Sequence, residues 1–274
     1  MQIVFVIAVL LLMLSSAAYF SYLFFQREPL HQTGCVLMVA GFILQTIVIV
    51  WRFAASGEVP VGNLHQTLTV VAWVLVGVFL LLHYKIPVKI LGTYAAPLSA
   101  VIMLAALQFP QEAMIPSQHI LKGFWLVIHI VTIFIGDAAF ALAAGVGILY
   151  LLQERNIKTK TRGFFFKRLP SLDLLDSSGY ACIVTGFTML TIGLVAGMVY
   201  AKYVWGRFWA WDTKEVWSAI SWIFYAVLLH ERLAVGWRGR RAAVMAIIGF
   251  AVLMFTFLGV NFLLTGHHGQ FTRF

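Results

Sequence analysis

The sequence predicts an all-α, polytopic membrane protein: a bundle of about eight transmembrane helices with both termini on the outer side. Three observations predict it. Hydrophobic residues make up 62% of the 274 residues and charged residues only 11%, whereas a soluble domain carries about a quarter charged residues. A water-soluble core cannot absorb that much apolar surface, so lipid is the solvent for most of it. The apolar residues also fall into eight runs of roughly the ~20 residues that a spanning helix needs. Finally, the Lys and Arg residues gather in the short segments between the runs.

In order, the runs are Ile3–Phe25, Cys35–Trp51, Leu64–Leu82, Leu91–Leu107, Phe124–Leu152, Tyr180–Ala201, Thr213–Arg232 and Ala242–Leu264. Each should be helical, because backbone polar groups have no water partner in lipid. The first has no basic residues ahead of it and is too long for a signal core, so it reads as a retained helix. The fifth is long enough to tilt or to extend past the bilayer. No internal repeat or change of composition interrupts the chain, so residues 1–274 read as a single membrane domain.

The net charge of +9 would suit nucleic acid or a membrane surface. Its placement in short loops points to membrane orientation, with the lipid bilayer and no nucleic acid as partner. Segments after the first, third, fifth and seventh runs hold 13 of the 19 Lys and Arg residues. The positive-inside rule makes that side cytoplasmic. Glu154–Ser178 is the longest and most basic loop in this reading, either a plain topology signal or a surface for anionic lipid or a cytoplasmic partner. Cys35 and Cys182 each sit within an apolar run and read as buried free thiols. Without a CxxCH motif the chain is not itself a c-type cytochrome.

Five of the nine tryptophans fall in one stretch, WGRFWAWDTKEVWSAISW, at Trp205, Trp209, Trp211, Trp217 and Trp222. Trp favours membrane interfaces, but a belt does not account for such density in one outer loop, residues 203–216. A flat, polarizable surface suits a large planar ligand, and Arg207 and Lys214 suit carboxylates on it. Asp212 and Glu215 have two readings. Their D-x-x-E spacing makes a capping box at the start of the seventh helix, and both acids also stand where a ligand would contact the loop.

This stretch resembles the tryptophan-rich signature of the CcsA/ResC and CcmC group of cytochrome c assembly proteins, whose usual pattern is close to WGxYWxWDPKExW. Phe208 stands at the aromatic position and Thr213 where proline is common. VGNLHQTLTVVAW, LVIHIVTIFIGDAAFALA and GVNFLLTGHHGQF resemble further segments of the group, so the likeness covers most of residues 60–274. It implies haem export and presentation across the cytoplasmic (inner) membrane for covalent attachment to apocytochrome c. It also implies haem b as the bound group, a CcsB/ResB-type membrane subunit as partner, and a share with that subunit in haem lyase activity. The working loop would lie on the periplasmic or outer face, with Trp205, Trp209, Trp211, Asp212 and Trp217 against the haem.

Placed on the topology, His65, His119, His129, His267 and His268 lie near the outer face and His31, His83 and His230 near the inner one. Two imidazoles on opposite faces of a haem give a six-coordinate iron. The resemblance puts the two outer iron ligands at His129 and His268 and a ligand for incoming haem at His230. His267 rivals His268, because GHHG stands where the group usually has one histidine. The inner partner of His230 is thought in the group to come from a separate subunit; His83, at comparable depth, is the alternative within this chain. His31, His65 and His119 read as ordinary loop or cap residues.

Asp137 lies mid-span in the fifth helix, where the group more often has an aromatic residue. A lipid-facing carboxylate would cost ~2.5–3.5 kcal/mol on insertion scales, so Asp137 should face the bundle and be paired or protonated, in a structural bond or along a haem path. The rival functions are a membrane haem-binding accessory of tetrapyrrole synthesis resembling the HemX type, a quinone-linked b-type cytochrome, and a haem-free scaffold.

Overall fold

The apolar runs are helical in the described residues, and several of the helices continue past the run until a capping residue closes them. The structure is a computed structural model that describes residues 1–86, 88–110, 123–160, 164 and 166–259. Its helices are α1 (Gln2–Phe25), α2 (Glu28–Ser56), α3 (Leu64–Lys85), α4 (Gly92–Ala106, preceded by a 3-10 turn at Lys89–Leu91), α5 (Phe124–Lys158), α6 (Leu172–Trp205), α7 (Thr213–His230) and α8 (Arg240–Met254). All eight, three of them counted with a flanking turn, are long and apolar enough to cross a membrane. The chain is an all-helical integral membrane protein with eight candidate spans.

Caps set the boundaries. Gln26, Gly57 and Gly206 close α1, α2 and α6 in the left-handed conformation that satisfies the last carbonyls. Asn63 and Ser171 open α3 and α6, accepting hydrogen bonds from the N–H groups of Gln66 and Leu174. The expected long loop Glu154–Ser178 is helical at both ends. α5 runs on to Lys158, where Lys158 Nζ donates to Glu154 Oε1 at 2.7 Å one turn back, and α6 begins at Leu172. Leaving the hydrocarbon layer ends an apolar pattern, but it does not end a helix that has capping and i,i+4 pairs to continue on. The second span likewise starts at Glu28, with Pro29 in the first turn.

The helices alternate in direction, which gives the bundle two unlike ends. At one end His65 Nδ1 donates to the Ala106 carbonyl at 2.8 Å, joining the start of α3 to the end of α4. That end also carries the starts of α5 and α7 and the end of α6. At the other, basic end Lys89 pairs with Glu28, and Arg168 Nη2 donates to the Phe24 carbonyl at 2.9 Å.

α5 and α6 form the axis of the bundle, α8 packs on α5, and α1, α2 and α4 form a second layer joined to it through α3. Small residues allow the close approach. A Cβ on Gly136 would come within 3.1 Å of the Gly186 carbonyl oxygen on α6, so the two backbones touch with no side chain between them. In lipid there is little hydrophobic force between helices, and this dispersion contact holds them. α7 is the exception: only Ser221, Tyr225 and Leu228 are buried on it. Ile220, Ile223, Val227 and His230, at three- and four-residue spacing, form an exposed stripe along it. Cys35 is half-buried and Cys182 buried, both as free thiols.

Candidate functional site

The histidines separate by packing. His129 sits in the second turn of α5, half-buried, with Nδ1 2.7 Å from the Gly193 carbonyl oxygen of α6. A carbonyl only accepts, so Nδ1 carries the proton. In the neutral ring the lone pair is then on Nε2, the arrangement in which outer partners fix metal-binding imidazoles. A Cβ on Gly197 would stand 2.6 Å from the same Nδ1. The ring therefore lies in a cradle made by one carbonyl and one missing side chain. No sequence pattern announced that cradle, because its two glycines lie on another helix.

His65 and His31 are not loop residues. His65 is 1% exposed, bonded to Ala106 and tilted against Phe5 at 4.8 Å, so it ties three elements together. His31 is buried between Tyr19, Tyr22 and His83, its ring 5.0 Å from that of His83. His83 also stacks on Phe79. No group of three or more His, Cys, Asp or Glu among the described residues is placed to hold a metal ion. His230 is exposed in the last turn of α7. His119, His267 and His268 lie outside the described residues.

The tryptophan loop has a fixed shape. Glu215 Oε2 accepts from the N–H of Ala210 at 2.7 Å and of Asp212 at 3.2 Å. Asp212 completes the capping box by accepting from the backbone at the third helical position. Between the two anchored N–H groups stands Trp211 with φ +58°, a left-handed backbone that a bulky residue rarely takes. Its ring is 78% exposed and meets Trp209 edge-on at 6.0 Å. The capping spacing was readable, but the second task of Glu215, holding both flanks of Trp211, was not.

Neighbouring groups complete the platform. Trp205 and Phe208 are exposed. Lys202 Nζ donates to the Gly206 carbonyl at 2.8 Å and lies 5.5 Å from the Phe208 ring, so it closes the end of α6. Tyr200 touches Trp205 edge-on and faces Gly123 at the start of α5, which brings the loop and the His129 helix together. Trp217 packs on Phe255 at 4.5 Å, and Trp222 Nε1 donates to Thr191 at 2.9 Å. Those two rings join α7 to α8 and α6. Lys214 and Asp137 of α5 lie within electrostatic reach of each other, and Asp212 also acts on Lys214. The mid-span carboxylate thus has a cation of the bundle in its neighbourhood, while Arg207 stays exposed.

An eight-span membrane protein with a preformed aromatic platform and a tautomer-fixed histidine at one end is the class that the fold and site define. Residues 61–268 match the cytochrome C assembly protein family, and the chain belongs to that family. It is 32% identical over 267 residues to the cytochrome c biogenesis protein CcsA of Prochlorococcus marinus (strain MIT 9215), covering 89% of this chain and 86% of that one. The CcsA of Guillardia theta is 31% identical over 281 residues, 96% of this chain and 93% of the relative. That of Synechococcus sp. (strain CC9902) is 33% identical over 257 residues, 85% and 84%.

Proposed function

We propose that this protein carries haem across the cytoplasmic membrane and presents it on the outer face for covalent attachment to apocytochrome c. The observation that carries the reading is the preformed platform of Trp205, Trp209 and Trp211 on the same end as His129, whose Nδ1 bond to Gly193 leaves the lone pair on Nε2. Aromatic rings hold a flat macrocycle, the exposed Arg207 suits its propionates, and His129 with His268 takes the two axial positions of its iron. The name carried by the curated relatives supports ligation over a role in tetrapyrrole synthesis.

The chain's part is binding and orientation. Each apocytochrome thiol adds across a haem vinyl group, sulfur to one carbon and hydrogen to the other, so nothing leaves and no acid–base triad is required. Asp212 and Trp217 serve this surface from below, one by capping α7 and the other by fixing it on the end of α8.

At the basic end, His230 receives haem from the cytoplasm. It stands on the exposed stripe of α7, which suits a CcsB/ResB-type membrane subunit that covers the stripe and supplies the second ligand. His83, stacked on Phe79 and tilted against His31, is the less suited partner. The test is a visible spectrum and a haem assay on purified protein, with His230→Ala beside it. The wild type should carry haem b and the variant distinctly less. Equal haem in both folded proteins would demote His230 to a helix-end residue, and no haem in either after loading would favour a haem-free scaffold.

Orientation has its own test. In a Cys35→Ser background, Gly206→Cys should react with an impermeant thiol reagent from outside and Lys160→Cys only after the membrane is opened. The reverse pattern would invert the protein and remove the outer-site reading.

A further inference from the structure

The turn that joins α7 to α8 hangs on one carboxylate. Asp176, in the second turn of α6, accepts from Arg232 through both oxygens, Nη1 to Oδ1 at 3.0 Å and Nη2 to Oδ2 at 2.6 Å. Oδ1 accepts a third hydrogen bond from the Gly239 N–H at 2.8 Å. The Arg232 guanidinium also lies 4.4 Å above the Tyr180 ring. The two side chains are 9% and 17% exposed, so water competes little with the fork. The Glu28–Lys89 pair at the same end is 49% and 42% exposed, the kind of surface pair that contributes little.

The clamp grips both ends of the turn. Arg232 follows His230 by two residues, inside a π turn at Glu231–Val235. Gly239 opens α8 at φ +67°, ψ −128°, a backbone that essentially only glycine adopts. α7 itself is lightly held, with three buried residues and His230 on its exposed stripe. A π turn departs from the regular ladder and often marks a functional position. Beyond the buried Leu228, where the regular α-helix stops, the hydrogen bonds to α6 help set the direction of the last turn of α7.

We propose that Asp176 is a positioning residue that, through Arg232 and Gly239, sets the direction in which His230 presents its imidazole on the open face of α7. This rests on the reading of His230 as an iron ligand. An axial bond is short and directional, and losing a group that orients a metal ligand lowers metal affinity by about 10–100-fold.

The test uses the full chain, purified from membranes in detergent, with His129→Gly throughout to remove the outer ligand. Asp176→Asn and His230→Gly are compared with this parent for haem retained per protein and for the low-spin spectrum after loading with ferric protoporphyrin IX. Both variants should lose about tenfold or more of the retained haem, and imidazole should restore the low-spin spectrum in both, because it supplies the nitrogen that is absent or misdirected. If Asp176→Asn does not accumulate, Arg232→Lys, which keeps the cation and loses the fork, takes its place with the same expectation. Full haem retention in the clamp variants beside loss in His230→Gly would overturn the positioning role alone. So would haem loss that imidazole repairs only in His230→Gly, since Asp176 would then act on more than that ligand. Unchanged haem in His230→Gly would remove the ligand reading and this proposal with it.

Discussion

His129→Gly and His268→Gly should each abolish cytochrome c maturation, and imidazole in the medium should restore part of it. The reason is coordination. On the proposed ligation, each substitution leaves the iron one axial nitrogen short and opens a hole of the right size for the small base that replaces it. His129 adds a structural ground: the bond from its Nδ1 to Gly193 fixes which nitrogen faces the ligand, and free imidazole finds that carbonyl still in place. Haem staining of cell cytochromes, with and without imidazole, is the measurement. His119→Gly should be near normal. The sequence predicts the same for His65→Gly, but its burial and its bond to Ala106 now predict less accumulated protein that imidazole does not repair. A defect in His267→Gly with a normal His268→Gly would shift the outer ligand by one residue. Normal maturation in both His129→Gly and His268→Gly would show that the outer site is built from something else.

Gly197→Val should reproduce much of that loss while leaving every histidine in place. A Cβ at Gly197 would lie 2.6 Å from His129 Nδ1 and 2.8 Å from Cε1, so the ring must leave its cradle. Overpacking a fitted contact costs about 1–3 kcal/mol, which at the lower bound is about fivefold in correctly placed ligand. Gly179→Ala is the control, because its Cβ would meet Val146 at an ordinary 3.5 Å. The assay is holo-cytochrome c per unit of accumulated protein. Equal maturation in the two variants would mean that the setting of His129 does not matter.

The eight spans were legible because lipid allows one solution to an apolar run, and that solution is local. Their ends were less so. The helical ends of Glu154–Ser178 depend on the Glu154–Lys158 pair and the Ser171 cap, which outweigh the change of solvent. Burial of His31 was hidden because it precedes its run and is covered by the neighbouring α1 and by His83 of α3; that of His65 was hidden because it sits at the edge of its run and is covered by helices distant in sequence. The same distance hid the Gly193–Gly197 cradle and the Asp176–Arg232 clamp. The tryptophan loop was visible as composition and its capping box as spacing. The left-handed Trp211 was not, since nothing in WAWDTKE marks a non-glycine residue at positive φ.

That residue has a consequence for how a flat ligand arrives. A left-handed conformation costs about 1–2 kcal/mol for a residue with a side chain. The carboxylate of Glu215 holds it there by binding the backbone on both sides. The strain and the ordering are therefore already present when the chain has folded. A ligand reaching this surface has little loop entropy to remove. The affinity then follows the surfaces that meet, and the recognition step is docking onto a finished template rather than folding around a guest.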